Sequence, residues 1–231
     1  KLPWNTSFGN DAPPGVVPQA GPLPVHSFDG GMKLTLLSPY ARQLADLIPV
    51  WEKEVKKAGL VPGKKIEERG EDEGSDVLGP PDIDDLSESE FKADTAEPNG
   101  SSIAFLARYD GKTVLFGADA HAPVLLRSLA RVSGGDSVKL DAFKVSHHGS
   151  THNVNRELVE AIRCRNYLIS SNGKKFSHPS TEAIARIIKF SGGTVHFNYR
   201  TEFNRMWDDK TLKRKYKYAT LYPDKEGIAL S

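Results

Sequence analysis

Hydrophobic and polar positions along this chain fall into short apolar runs bounded by turn residues, interleaved with stretches at helical spacing. Such a pattern predicts strands joined by helices. Residues 22–25 and 32–37 flank Phe28-Asp29-Gly30-Gly31 and predict a β-hairpin. Ser38-Pro39 then offers an N-cap followed by proline at the first helical position. Leu44, Leu47, Val50 and Trp51 continue it as a helix to about Ala58-Gly59, bent at Pro49. Further on, 103–108 and 113–116 flank Asp110-Gly111, a strong hairpin signal. Beyond the hairpin, helices are predicted over 123–132, 155–162 and 180–190, and strands over 140–145, 166–169 and 194–199. The alternation suits one α/β layer set, without internal repeats.

Charge changes this picture in one place. The whole chain is nearly neutral at +1, yet residues 67–97 hold thirteen Asp or Glu against Arg69 and Lys92, a net of −11, so the remainder is a basic body. The acidic stretch also contains Gly70, Gly74, Gly79-Pro80-Pro81 and several serines, and it lacks periodicity. It predicts an insertion over 64–98, a long loop or partly disordered segment within the single domain formed by residues 1–231. Two roles stand open for it: a solvated linker, or an electrostatic mimic of a polyanionic substrate lying over the basic surface. The 231 residues suffice for one sizeable core. No apolar run approaches the length of a transmembrane helix, so no membrane association is expected. The single cysteine, Cys164, excludes an internal disulfide and reads as a packed thiol in a reducing, cytoplasmic setting.

Chemistry concentrates at two strand ends. Lys144-Val145-Ser146-His147-His148-Gly149-Ser150 leads two histidines out of a strand into a Gly-Ser turn. Upstream, 113–121 repeats the design: an apolar run, then Gly117-Ala118, then Asp119 and His121. An Asp and a His at two strand ends can share a metal site, and the two oxygens of a carboxylate can bridge a pair of ions. If the strand persisted through His147 and His148, their side chains would alternate and only one would reach the metal. His121 and His152 are weaker candidates, and His26 and His196 are expected to be structural. At the C-terminus, Lys213, Arg214 and Lys215 crowd with Tyr216, Tyr218 and other aromatics. That run suits nucleic-acid phosphates and bases, or simply an alternation with Tyr facing the core and Lys facing water.

Ala118-Asp119-Ala120, the His147 to Ser150 run, Asn172-Gly173 and His178-Pro179, with Asn99-Gly100-Ser101-Ser102 as a lead-in, together resemble the metallo-β-lactamase-fold hydrolases, specifically the branch containing the soluble ComEC-like domain of DNA-uptake proteins. The resemblance covers roughly residues 20 to 200 and departs at Ala118, where the family prefers glycine. It implies a four-layer αββα sandwich of which this chain is the C-terminal part. It also implies a site with two divalent ions, zinc or manganese, in which Asp119 bridges the metals, His148 is the preferred ligand and His147 lies behind it or on substrate. His178 would contact substrate or a leaving group, and Asn172 and Gly173 would offer amide donors. The activity implied is metal-dependent hydrolysis, foremost as a nuclease or phosphodiesterase using metal-activated water. A silent nucleic-acid- or partner-binding module and a lactone or thioester hydrolase are the alternatives. Family members take most of their ligands from an upstream H-x-H-x-D-H segment, which the seven histidines here never form. That motif is therefore expected on a partner, the N-terminal half of the same domain as a separate chain or fragment.

Overall fold

Two consecutive residues with positive φ, Asp110 (47°) and Gly111 (72°), reverse the chain tightly enough to pair β3 (Ala104–Tyr109) with β4 (Lys112–Phe116) in antiparallel register. This hairpin lies inside an eight-stranded sheet whose spatial order follows the chain order. The computed structural model describes residues 15–58 and 80–223. On one side of the hairpin lie β2 (Lys33–Ser38) and β1 (Val25–Ser27), both antiparallel; these two form the expected hairpin, with its first strand displaced from 22–25 to 25–27. On the other side β5 (Val138–Lys144), β6 (Ile162–Ile169), β7 (Thr194–Phe197) and β8 (Ala219–Leu221) all run parallel to β4.

Parallel neighbours need crossovers. Here α4 (Ala122–Ser133), α5 (Arg156–Glu160), α6 (Thr181–Ser191) and α7 (Lys210–Tyr216) lie on the four connections. Every step moves the chain in the same direction across the sheet, so right-handed crossovers put their helices on one face. Burial agrees. The register row Thr35, Leu106, Leu115, Phe143, Tyr167, Val195, Thr220 is buried throughout. The adjacent row points to the other face and is unevenly covered: Ala142 is fully buried, Leu34, Ala107, Val114, Asn166 and Thr194 are half-buried, and Ala219 is exposed. The structure is thus a mixed α/β sheet with a well-filled side and a half-open side.

Two expectations change. The first long helix, α1 (Ala41–Lys57), is capped by Tyr40 and not by Ser38, because Ser38 is claimed by the sheet, paired with Ala104 and fully buried. The acidic stretch is also more ordered than its composition suggests. Residues 64–79 lie outside the described residues, but 80–98 contain α2 (Ile83–Ser87) and the start of α3 (Glu97–Gly100). Asp82 caps α2 by accepting from the Asp84 and Asp85 amides, Ile83 is fully buried, and α2 packs on α6. Arg186 of α6, itself buried, donates to the Ser89 carbonyl and hydroxyl and to Thr151 and Val154.

Candidate functional site at the carboxyl ends of the strands

Gly117 closes β4 against the turn after β5. A Cβ there would lie 2.3 Å from Ser146 Oγ and 3.1 Å from Phe143, so only glycine lets the two strand ends approach. The Gly117 amide donates to the Lys144 carbonyl at 3.0 Å, and the His147 amide to the Ala118 carbonyl at 2.7 Å. These bonds sew the Asp119 and His147 segments together. The local backbone is left-handed at three non-glycine residues: Ala118 (φ 46°), His147 (φ 43°) and His148 (φ 55°). Each costs about 1–2 kcal/mol, and such outliers gather where surrounding structure over-determines a functional geometry.

β5 ends at Lys144, and a 3-10 turn over Ser146–Gly149 carries both histidines. The alternation expected of a continuing strand therefore does not apply. Both rings line one cavity of about 460 Å³, together with Asp119, Ser170, Ser171, Asn172, Lys175, Phe176, His178, Asn198 and Tyr199. Every one of these residues follows the carboxyl end of a parallel strand, the usual place for ligands in α/β sheets.

Each histidine is oriented through its Nδ1. His148 Nδ1 donates to the Ser170 carbonyl at 2.5 Å. His147 Nδ1 donates to Asn153 Oδ1 at 3.0 Å. Both rings are thereby set as the tautomer with an Nε2 lone pair, the form in which histidine binds metal. Behind His147, fully buried Asn153 donates from its amide to Asp94 Oδ2 at 3.0 Å and to the Asp119 carbonyl at 3.2 Å. Asp94, absent from the sequence-predicted set, is the hub of this layer. Burial pushes its pKa up, but donors from the Ala96 amide, Asn99 and Asn153, with His121 nearby, outweigh that and hold the carboxyl below its ordinary value. His147 Nδ1 lies 3.5 Å from Asp94 Oδ2.

His121 and His152 hold the Asp94 segment in place and do not line the cavity. His121 Nε2 bonds the Ala96 carbonyl at 3.0 Å, and His152 Nδ1 the Lys92 carbonyl at 2.6 Å. Little in the sequence marks Asp94 beyond its place five residues before Asn99, since one carboxylate among thirteen carries no distinguishing pattern.

His178 stacks edge-on to His147, with ring centroids 5.5 Å apart, and its buried Nδ1 has no hydrogen-bond partner. Burial, with the three histidines His147, His148 and His152 nearby, lowers its pKa from 6.5 to about 4. The Asp119 carboxylate is half-buried and accepts no hydrogen bond from any described residue. Asn172 lines the cavity but also closes a turn by accepting the Lys174 amide, and the Gly173 N–H is used by Ser171 Oγ. Lys213, Arg214 and Lys215 sit on α7, away from the cavity. Lys213 is paired with Asp208 at 2.6 Å and Lys215 with Asp84 at 3.3 Å, while Arg214 is exposed.

The donor chemistry fits a divalent cation: an uncommitted carboxylate and two imidazoles set for Nε2 ligation. Among the described residues no group of three or more His, Cys, Asp or Glu is close enough to hold an ion unaided. No helix among them is long and apolar enough to cross a membrane. No family model, curated protein or solved structure matches the chain.

Proposed function

We propose that the cavity is the site of a metal-dependent hydrolase acting on phosphodiesters of DNA or RNA. The observation that carries this reading is the convergence of Asp119, His147, His148 and His178 on one cavity at the strand ends, with both adjacent histidines fixed through Nδ1. Asp119 and the Nε2 of His148 are the residues that would hold a zinc or manganese pair, with further ligands from an H-x-H-x-D-H segment that these residues do not contain. When bound, the ions supply activated water and neutralise charge on the phosphoryl oxygens. In this reading the domain is a four-layer sandwich completed across the half-open face of the sheet.

The chain's own groups do the rest. His178 is neutral at pH 7 because burial holds its pKa near 4, so it acts as a hydrogen-bonding partner for a substrate oxygen and not as an acid. Phe176 and Tyr199 line the cavity while being 62% and 54% exposed, and Lys175 reaches to 5.3 Å from the Phe176 ring centroid. Exposed aromatics beside a cation suit stacked bases of an unpaired strand, which favours nucleic acid over small esters.

The test is manganese- and zinc-dependent cleavage of single-stranded DNA by the natural protein together with its H-x-H-x-D-H partner. Asp119→Asn should abolish cleavage, and Asn153→Ala should weaken metal affinity by about 10–100-fold, as loss of a ligand-orienting partner does. Wild-type cleavage that survives chelation, or an Asp119→Asn protein with full activity, defeats the assignment.

A further inference from the structure

The cavity described above lies at one end of the parallel strands; a larger groove of about 990 Å³ lies at the other. Leu140, Val159, Ile162 and Phe190 line it together with Lys139, Arg163 and Arg165. Along β6 the alternation Ile162-Arg163-Cys164-Arg165 buries the first and third residues and exposes both arginines. On β5 Lys139 is exposed directly opposite Arg163 in the register. Two like charges facing each other across a ladder destabilise it, and neither has a carboxylate to relieve it.

The distribution of charge is what makes the groove unusual. Its two carboxylates are engaged elsewhere: Asp141 accepts the Thr113 amide at 2.7 Å and faces Lys112 at 3.8 Å, and Glu160 pairs with Arg156 at 2.9 Å. The side chains of Lys139, Arg163 and Arg165 form no hydrogen bond or ion pair with any described residue. The C-terminal basic run is the reverse case, with Lys213, Lys215 and Arg200 all paired to Asp208 or Asp84. Uncommitted positive charge has moved from where the sequence displays it to where the sheet assembles it.

We infer that this groove binds the phosphate backbone of single-stranded nucleic acid, as a second contact about 17 Å along β5 from the strand's carboxyl end, at roughly 3.3 Å per residue. The three cations are spread and do not converge: Arg163 and Arg165 are about 6.7 Å apart along one strand, and Lys139 is about 4.8 Å across from Arg163. A row of this kind follows several phosphates of a chain, whereas a single small anion is clamped by groups aimed at one point. The Arg156 guanidinium, 4.5 Å over the Phe190 ring, already occupies one of its faces. Recognition here is therefore by charge and indifferent to sequence. It rests on residues separate from the proposed hydrolytic site and stands whether or not hydrolysis is found.

The experiment is fluorescence anisotropy of a labelled 20-nucleotide oligothymidylate with the full chain in EDTA, between 50 and 200 mM salt, for wild type and for Lys139→Ala/Arg163→Ala/Arg165→Ala. The triple variant should bind about tenfold more weakly at 50 mM salt, and its log–log salt slope should be shallower by about 2, or roughly 0.7 for each phosphate no longer neutralised. Its Tm should not fall, since a like-charge pair has been removed; a purely structural role would lower it. Lys213→Ala/Lys215→Ala should leave the slope unchanged. Equal affinity and slope in wild type and triple variant would overturn the inference, as would a slope carried by Lys213 and Lys215. So would binding of inorganic tripolyphosphate, abolished in the triple variant, without binding of the oligonucleotide. Because metal is absent, a negative result in the cleavage assay leaves this one untouched.

Discussion

Ala118 shows in a single residue how this site is built. It sits in the left-handed region at φ 46°, immediately before the uncommitted carboxylate of Asp119, and its carbonyl receives the His147 amide. A Cβ in that region costs about 1–2 kcal/mol, while glycine loses roughly 0.5–1 kcal/mol through the extra freedom of its unfolded state. Ala118→Gly should therefore stabilise the protein by up to about 1 kcal/mol, read as a rise in urea midpoint at constant m value; a destabilised variant would mean the conformation is not strained. His178 makes a second, pH-dependent prediction. Its pKa falls from 6.5 to about 4 on folding, so between those values the unfolded chain binds more protons than the folded one. Its contribution to stability is complete above pH 6.5 and is lost as pH falls towards 4. Buried His196, also lowered, adds loss of the same sign, and Asp94 adds more below its ordinary value of 3.8. Tm measured from pH 7 to pH 4 should fall, and His178→Gln should flatten part of the decline; an unchanged profile would show that His178 titrates normally in the fold.

At the scale of elements, the segment over 80–98 is a structural part whose composition disguises it. Ile83 of α2 is fully buried, and the segment delivers Asp94 to the back of His147. Ile83→Ala should cost about 2–5 kcal/mol, the range for emptying a packed aliphatic site. A loss below about 0.5 kcal/mol in chemical denaturation would return the segment to the status of a linker. The strands and the helices α4 and α6 were legible in sequence because one face of each is buried and the period shows it, as in 103–108 and 180–190, while α1 was legible by its period although no residue on it is fully buried. The described part of the acid-rich region, 80–98, was not: α2 is only five residues long, and one buried isoleucine makes no period. The helix α7 was hidden for another reason. Lys215-Tyr216-Lys217-Tyr218 alternates like a strand, yet the helix ends at Tyr216, Lys217 turns left-handed at φ 55°, and Tyr218 is buried from the turn beyond. Tyr faces inward and Lys outward, as alternation implies, without a strand being present. The candidate site residues His147, His148, Asp119 and His178 stood out because histidine and carboxylate at strand ends are chemically conspicuous. Asp94 and Asn153 did not, since they act by hydrogen bonds across the fold, Asn153 reaching Asp94 59 positions away and Asp119 34 positions away.

For the whole molecule, the asymmetry of the sheet has the largest consequence. Same-direction crossovers cover one face with helices, and the other retains a row in which Phe105 stacks on Phe116 with ring centroids 4.9 Å apart, Phe116 being 38% exposed. Leu34, Val114 and Leu168 share that face by register and are half-buried. Lys144 interrupts this face between Phe116 and Leu168, and its apolar part around Phe105 and Phe116 is the candidate surface for association. Covering it releases about 25 cal/mol for each Å² of apolar area removed from water. On the function proposed above, the natural protein should run in native gel filtration with a second polypeptide or fragment, and peptide sequencing by mass spectrometry should find H-x-H-x-D-H in that component. Phe116→Glu should abolish the association, because a charge would be buried without a partner. It should leave the helical face, and hence cooperative unfolding of the chain, intact. That separation matters, since a variant that merely unfolds would also lose its partner. A well-folded, stable monomer of these residues, with Phe116→Glu indistinguishable from wild type, would show that the half-open face is solvent-facing by design and that the ligand set has no second half to complete it.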